Sequence, residues 1–200
     1  GNGACNDMNL ESGVMINIPS THKLEMNGNI RAGSASIIGQ VIFQIKTTSA
    51  EITGNLAMEA SMEVVSGSIL TMNPSSTIEF HRNLFLFGQL NTNGQAISFS
   101  GGENTVIRGN NISFDDVIIN KQSENLELIL SDNITLDGNL TLILGDVNLN
   151  GKQLTLGANS SLIGETADNR VHGTSGTITT TRNINAPNNM NVAGLGIELT

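Results

Sequence analysis

The sequence predicts an all-β chain wound as a right-handed parallel β-helix, a solenoid with coils of about 20 residues. Three observations predict it. Apolar and polar residues alternate in short runs along almost the whole chain, Asn and Gly separate those runs, and whole blocks of the pattern recur at long range.

The alternation is clear at Val14-Met15-Ile16-Asn17-Ile18, Val41-Ile42-Phe43-Gln44-Ile45, Leu126-Glu127-Leu128-Ile129-Leu130 and Val147-Asn148-Leu149. Between such runs stand Asn27-Gly28, Gly54-Asn55, Asn93-Gly94, Asp137-Gly138 and Asn150-Gly151. Each pair alone predicts a hairpin and, repeated, an antiparallel sandwich. The recurrences favour stacking instead. Leu24-Glu25-Met26-Asn27-Gly28-Asn29-Ile30 matches Ile78–Leu84 at an offset of 54 residues, and that block matches Ile134–Leu140 at a further 56. Phe85–Phe99 aligns without gaps to Leu142–Leu156 at an offset of 57, which brings Asn93-Gly94 onto Asn150-Gly151. A block of that size covers two or three coils. One coil cannot bury its inward face alone, so neighbours must cover it, and each covered Ile or Leu contributes about 1.5–3 kcal/mol. Paired apolar residues at Val64-Val65, Ile118-Ile119 and Ile37-Ile38 mark where a side meets a corner. Asn recurring at matched turns predicts hydrogen bonding along the axis. The right hand follows from the usual crossover between parallel strands.

Composition agrees. The chain has 200 residues, 38% of them hydrophobic, and Ile and Leu dominate while Trp and Tyr are absent. A narrow column of branched side chains needs no wide centre for large rings. Net charge is −9, so a phosphate backbone is repelled and nucleic acid is not expected as a partner. No run approaches the ~20 apolar residues of a spanning helix, so membrane insertion is not expected. The single cysteine, Cys5, excludes an internal disulfide. The whole of 1–200 reads as one β-helix domain, a piece of a longer protein, with 177–200 as a closing segment.

At the residues Gly138-Asn139-Leu140-Thr141-Leu142 and Asn150-Gly151-Lys152-Gln153-Leu154-Thr155-Leu156-Gly157 the chain resembles the β-helical repeats of large secreted and cell-surface proteins of Bacteroidota. Cys5–Gly13 followed by Ile16-Asn17-Ile18 resembles their opening coil, and Thr177–Arg182 through Asn191–Gly196 their closing segment. The resemblance implies an adhesin-like or structural role, export by type IX secretion and an extracellular or cell-surface location. It implies no reaction and no cofactor. The sorting module typical of the family is missing from these residues.

The candidate chemistry is sparse. His22, His81 and His172 lack metal-ligand spacing and read as turn or surface residues. Cys5 has no neighbouring base and reads as a small inward hydrophobe. Asp115, Asp116, Glu124, Glu127, Asp132, Asp137 and Asp146 crowd one stretch that holds a single base, Lys121. Stacking could gather some of them, with Asp115, Asp116, Asp132 and Asp137 as the candidates for a Ca²⁺ site. The alternative is a solvated acidic face. Thr177, Thr179 and Thr181 alternate on one strand, a pattern that would suggest crystal-surface binding only if several coils carried it. Without Trp or Tyr platforms or a basic cluster, the reading is not an enzyme. The first expectation is a non-catalytic structural or adhesive solenoid, a rigid spacer or display surface facing glycan or another cell-surface protein. The second is a carbohydrate-binding or polysaccharide-cleaving β-helix with bound Ca²⁺. Open strand edges at the ends also favour capping by flanking domains or end-to-end self-association.

Overall fold

The computed structural model describes residues 2–20, 22–183, 185 and 190–199. Among them there is no helix, and about eight coils of about 21 residues form a parallel β-solenoid. Each coil has three faces, and the strands are numbered β1–β24 along the chain. The first face stacks β1 (Gly3–Cys5), β4 (Leu24–Met26), the ends of β5 (Ile30–Ile45) and β6 (Ala50–Val64), β9 (Leu84–Leu86), β12 (Thr105–Gly109), β15 (Glu127–Leu130), β18 (Asp146–Asn148) and β21 (Val171–His172). The second stacks β2 (Met8–Leu10), the starts of β5 and β6, β7 (Ile69–Met72) and β10 (Gln89–Asn91), then β13 (Ile112–Phe114), β16 (Ile134–Leu136), β19 (Gln153–Leu156) and β22 (Thr177–Thr180). The third stacks β3 (Met15–Ile18), the middles of β5 and β6, β8 (Thr77–Phe80), β11 (Ile97–Phe99), β14 (Val117–Asn120), β17 (Leu140–Leu144) and β20 (Leu162–Ile163). All these ladders are parallel. Only β23 (Met190–Asn191) and β24 (Glu198–Leu199) pair antiparallel.

The alternation written in the sequence becomes continuous internal columns. Leu56, Ile78, Ile97, Val117, Leu140 and Leu162 lie over one another on the third face, and all are buried. Beside them run Ile37, Met58, Phe80, Phe99, Ile119 and Leu142. Two strands are longer than the short runs expected. β5 has 16 residues and β6 has 15, because bulges bend them around the corners where a turn would otherwise break them.

The long-range matches do not stack as whole turns. Leu24 lies on the first face, Ile78 on the third and Ile134 on the second, although all three point at the common core. Leu24, Phe43, Met62 and Leu84 make three turns, and Ile78 falls one face short of Leu84. Ile134 falls one face short of Leu140 in the same way. The repeating block is therefore eight faces long. The gapless match also slips by one residue at its start. Asn120 pairs with Leu144 where Ile119 pairs with Leu142, so Ile143 is bulged out and 55% exposed, opposite the buried Leu86 in the alignment. From Gly88 and Gly145 onward the register holds: Leu90 and Val147, Ile97 and Leu154, and Phe99 and Leu156 are all buried. Asn93-Gly94 and Asn150-Gly151 both take positive φ, yet each turns a corner between parallel strands and makes no hairpin.

Asn and Asp side chains tie one coil to the next. The Asp116 carboxylate accepts the Asn139 backbone N–H at 2.6 Å, and the Asn139 side-chain oxygen accepts that of Ser161 at 2.9 Å. The same device links Asp7 to Asn29 and Asn29 to Glu51 at another corner, and Asn83 to Val106, Asn104 to Glu127 and Asp146 to Arg170 at the third. The stacked Asn residues thus bond mainly through the neighbouring main chain. Replacing Asn139 by alanine leaves the Ser161 N–H unpaired, so unfolding free energy should fall by about 1–2 kcal/mol in denaturant titration. Replacing the exposed Asn159, which lies outside these ladders, should change it by less than about 0.5 kcal/mol.

Candidate functional site

The four calcium candidates are already engaged, each at its own place. Asp115 accepts the Thr92 hydroxyl at 2.5 Å and the Gly94 N–H at 2.6 Å through one oxygen. Asp116 caps Asn139, Asp132 accepts the Gly109 N–H at 3.0 Å, and Asp137 accepts the Ser113 hydroxyl at 3.0 Å. Among the described residues no group of three or more His, Cys, Asp or Glu side chains is arranged to hold a metal ion. The crowding in sequence is spread over successive corners, because each acid serves the coil that follows or precedes it. Thermal unfolding with and without EDTA should therefore coincide; a lower melting temperature with EDTA would place a structural ion in the rod.

Lys121 is buried, with no carboxylate beside it. Its ammonium donates to the Ser100 carbonyl at 2.9 Å, the Glu103 carbonyl at 3.2 Å and the Thr105 hydroxyl. Two per cent of the residue is exposed, and burial pulls the amine from its usual 10.5 to about 8. Between those values the unfolded chain holds a proton that the folded one has released, so folded stability rises as pH rises from about 8 to 10.5. Below that window the folded state carries the cost of a buried charge. The difference in unfolding free energy between the native chain and Lys121→Met should shift in favour of the native chain by on the order of 3 kcal/mol from pH 7.5 to 10.5. A constant difference across that range would refute the burial.

The histidines fall at corners and on one outer face. His22 lies at the corner after Pro19, its N–H bonded to the Pro19 carbonyl at 2.9 Å. His81 Nε2 sits 3.4 Å from Glu79, which also accepts the Ser100 hydroxyl at 2.6 Å. His172 Nε2 is 3.1 Å from Glu127 and 3.4 Å from Asp146, on three successive coils. Sequence spacing missed this last trio, since its members are stacking partners 19 to 45 positions apart. Cys5 is half-buried against the core, with its thiol donating to the Asp7 carbonyl at 3.0 Å. The threonine pattern is wider than one strand. Ser113, Thr135, Thr155 and Thr179 are successive register partners, and Thr155 and Thr179 have hydroxyl oxygens 3.3 Å apart.

Two clefts of more than 400 Å³ are described on the surface. One of about 460 Å³ follows the corner between the third and first faces, past Gln40, Glu59, His81 and the glycines Gly101 and Gly102. It is crossed by Arg82, whose guanidinium grips the Glu103 carboxylate at 2.8 and 3.1 Å. The other, about 710 Å³, lies on the second face. There the ladder is interrupted: β10 pairs only with β7 and β13 only with β16, so the two neighbours share no strand pairing. The other two faces are paired without a break from the first described coil to β20 and β21. The corner changes shape at this seam. Phe87-Gly88 leads into β10, with both N–H groups on the Val64 carbonyl, whereas Asn110-Asn111 leads into β13, with Asn111 at φ 49°. No signal in the sequence marks this opening, because Leu90 and Ile112 keep the inward pattern across it.

Among the described residues no helix is long and apolar enough to cross a membrane. Comparison of the chain with protein-family models, with curated proteins and with solved structures finds no match.

Proposed function

We propose that the chain is a non-catalytic, extracellular structural or adhesive solenoid, a rigid spacer or display surface within a secreted or cell-surface protein. The observation that supports this most is the employment of the polar side chains. Asp7, Asn29, Asn83, Asn104, Asp116, Asn139 and Asp146 each accept a main-chain N–H of the next coil. Residues committed to joining coils hold a rod stiff and are not free to act on a substrate. The repeats resemble those of Bacteroidota surface proteins at Gly138–Leu142 and Asn150–Gly157, which supports a cell-surface location and type IX secretion as the proposed route out. The partner is a glycan or another cell-surface protein, reached through a lateral face.

Labelling of intact producing cells with an antibody to the folded chain tests the location. Signal on unbroken cells is expected, and signal only after lysis would overturn it. Incubation with a panel of plant and microbial polysaccharides tests the chemistry. No release of reducing ends is expected, and reproducible depolymerisation would overturn the non-catalytic reading.

A further inference from the structure

We propose that the seam between β10 and β13 is a binding cleft for a neutral oligosaccharide, which continues along the axis over the row of hydroxyls leading away from it. The proposal deepens the scaffold reading and rests on it, since it names what the lateral face of such a rod would hold.

A stacked coil normally covers the main-chain N–H and C=O groups of its neighbour. At the seam the facing sides of β10 and β13 lack a strand partner, the one place between the first described coil and β20 where that happens. The resulting space of about 710 Å³ falls within the size range of small-ligand sites, about 300–1,000 Å³. Its polar lining includes the amide of Asn91, the hydroxyl of Ser113 and the carboxylates of Asp115 and Asp137, with the half-buried ring of Phe87 at one side. Asp115 and Asp137 use one oxygen each within the fold, and a carboxylate has a second oxygen to accept from a sugar hydroxyl. An aromatic ring beside such acceptors suits the C–H face of a pyranose.

Charge selects among ligands. No Lys, Arg or His lines this cleft, two carboxylates do, and the chain carries −9 overall. Uronic acids, sulfated sugars and phosphates are repelled; hydroxyl-rich neutral sugars are not. An extended peptide adding to the open edges is the rival occupant. It needs apolar pockets for alternate side chains, and of the apolar residues here Leu86, Leu90, Ile112 and Phe114 are buried in the core, which leaves only Ile69 and Phe87 half-buried.

The direction follows from register. Ser113 at the cleft is succeeded by Thr135, Thr155 and Thr179, one per coil. Coils rise by about 4.8 Å, close to the advance of one pyranose in an extended chain, so successive sugars would meet successive hydroxyls.

The test is titration calorimetry of the chain with neutral oligosaccharides (glucans, mannans, xylans and chitin oligomers) and with acidic ones (alginate, pectate and sulfated glycans). Binding to at least one neutral series, in EDTA as well as without it, is expected. Phe87→Ala, and Asn91→Trp, which fills the opening from an exposed position, should each weaken it at least tenfold. Gln40→Ala in the other cleft should leave it unchanged. Melting curves of the variants separate lost binding from lost folding, and Asp137→Asn, which keeps shape, gives a further reading with an expected severalfold loss. No neutral series binding at millimolar concentration, a preference for acidic sugars, undiminished binding by folded Asn91→Trp, or displacement by extended peptides would overturn the proposal. Each of those outcomes leaves the rod's stability and surface labelling as they were, so the scaffold reading fails or stands separately.

Discussion

Replacing Gly54 by alanine is expected to lower the unfolding free energy by about 4 kcal/mol or more, the class of loss tied to strain at a special backbone position. Gly54 sits inside β6 with φ at +92°, where an L side chain is strained, and a Cβ built there would lie 1.6 Å from the Ala32 carbonyl oxygen of the coil below. That oxygen is backbone and cannot swing aside. To admit a methyl group the two coils must move apart, and the ladder between β5 and β6 runs through this point. Gly67→Ala separates the two causes. Gly67 has φ at +80° but nothing within 4 Å of the added carbon, so strain alone should cost about 1–2 kcal/mol. Urea titration of both variants beside the native chain reads the difference. Equal losses would mean that the close approach of coils contributes nothing.

Phe99→Ala is the second large effect. Phe80 and Phe99 are fully buried on neighbouring coils, with ring centroids 5.4 Å apart and planes inclined by 25°. They fill the column between Met58 and Ile119. Removing one ring leaves a cavity that coils above and below can close only by bending their strands, at about 3–5 kcal/mol. In a solenoid, stability is close to a sum over coils and their interfaces. The damage should therefore be local. Calorimetric scanning is expected to show one transition for the native chain and a split one for the variant, as the coils before and after residue 99 lose their coupling. A single transition at unchanged temperature would show that the stacked rings carry none of the stability.

Much of the fold was legible because one rule governs it. Every inward position wants an aliphatic side chain, and every corner tolerates Asn or Gly, so alternation and punctuation gave the parallel coils and their length. The same economy hid the faces. Leu24, Ile78 and Ile134 obey the same rule on three different sides, and nothing in a single sequence distinguishes one side from another. The bulge at Ile143 was hidden too, since an exposed isoleucine looks like an inward one until its partner is known. The polar residues were harder still. Asp116 and Asn139 are a bonded pair 23 positions apart, and His172 meets Glu127 across one intervening coil, so only the register brings their chemistry together. Lys121 looked like a lone counter-charge among acids and is instead a buried strut held by carbonyls.

The block that recurs in this chain is eight sides long on a three-sided rod, so each copy begins one side away from the last. Three copies bring the pattern back to where it started. A surface feature multiplied by copying that block would wind around the rod like the stripe on a barber's pole and face every direction in turn. A straight file such as Ser113, Thr135, Thr155 and Thr179 cannot arise by that copying. Its members keep to one side of the rod while the recurring block turns away from it.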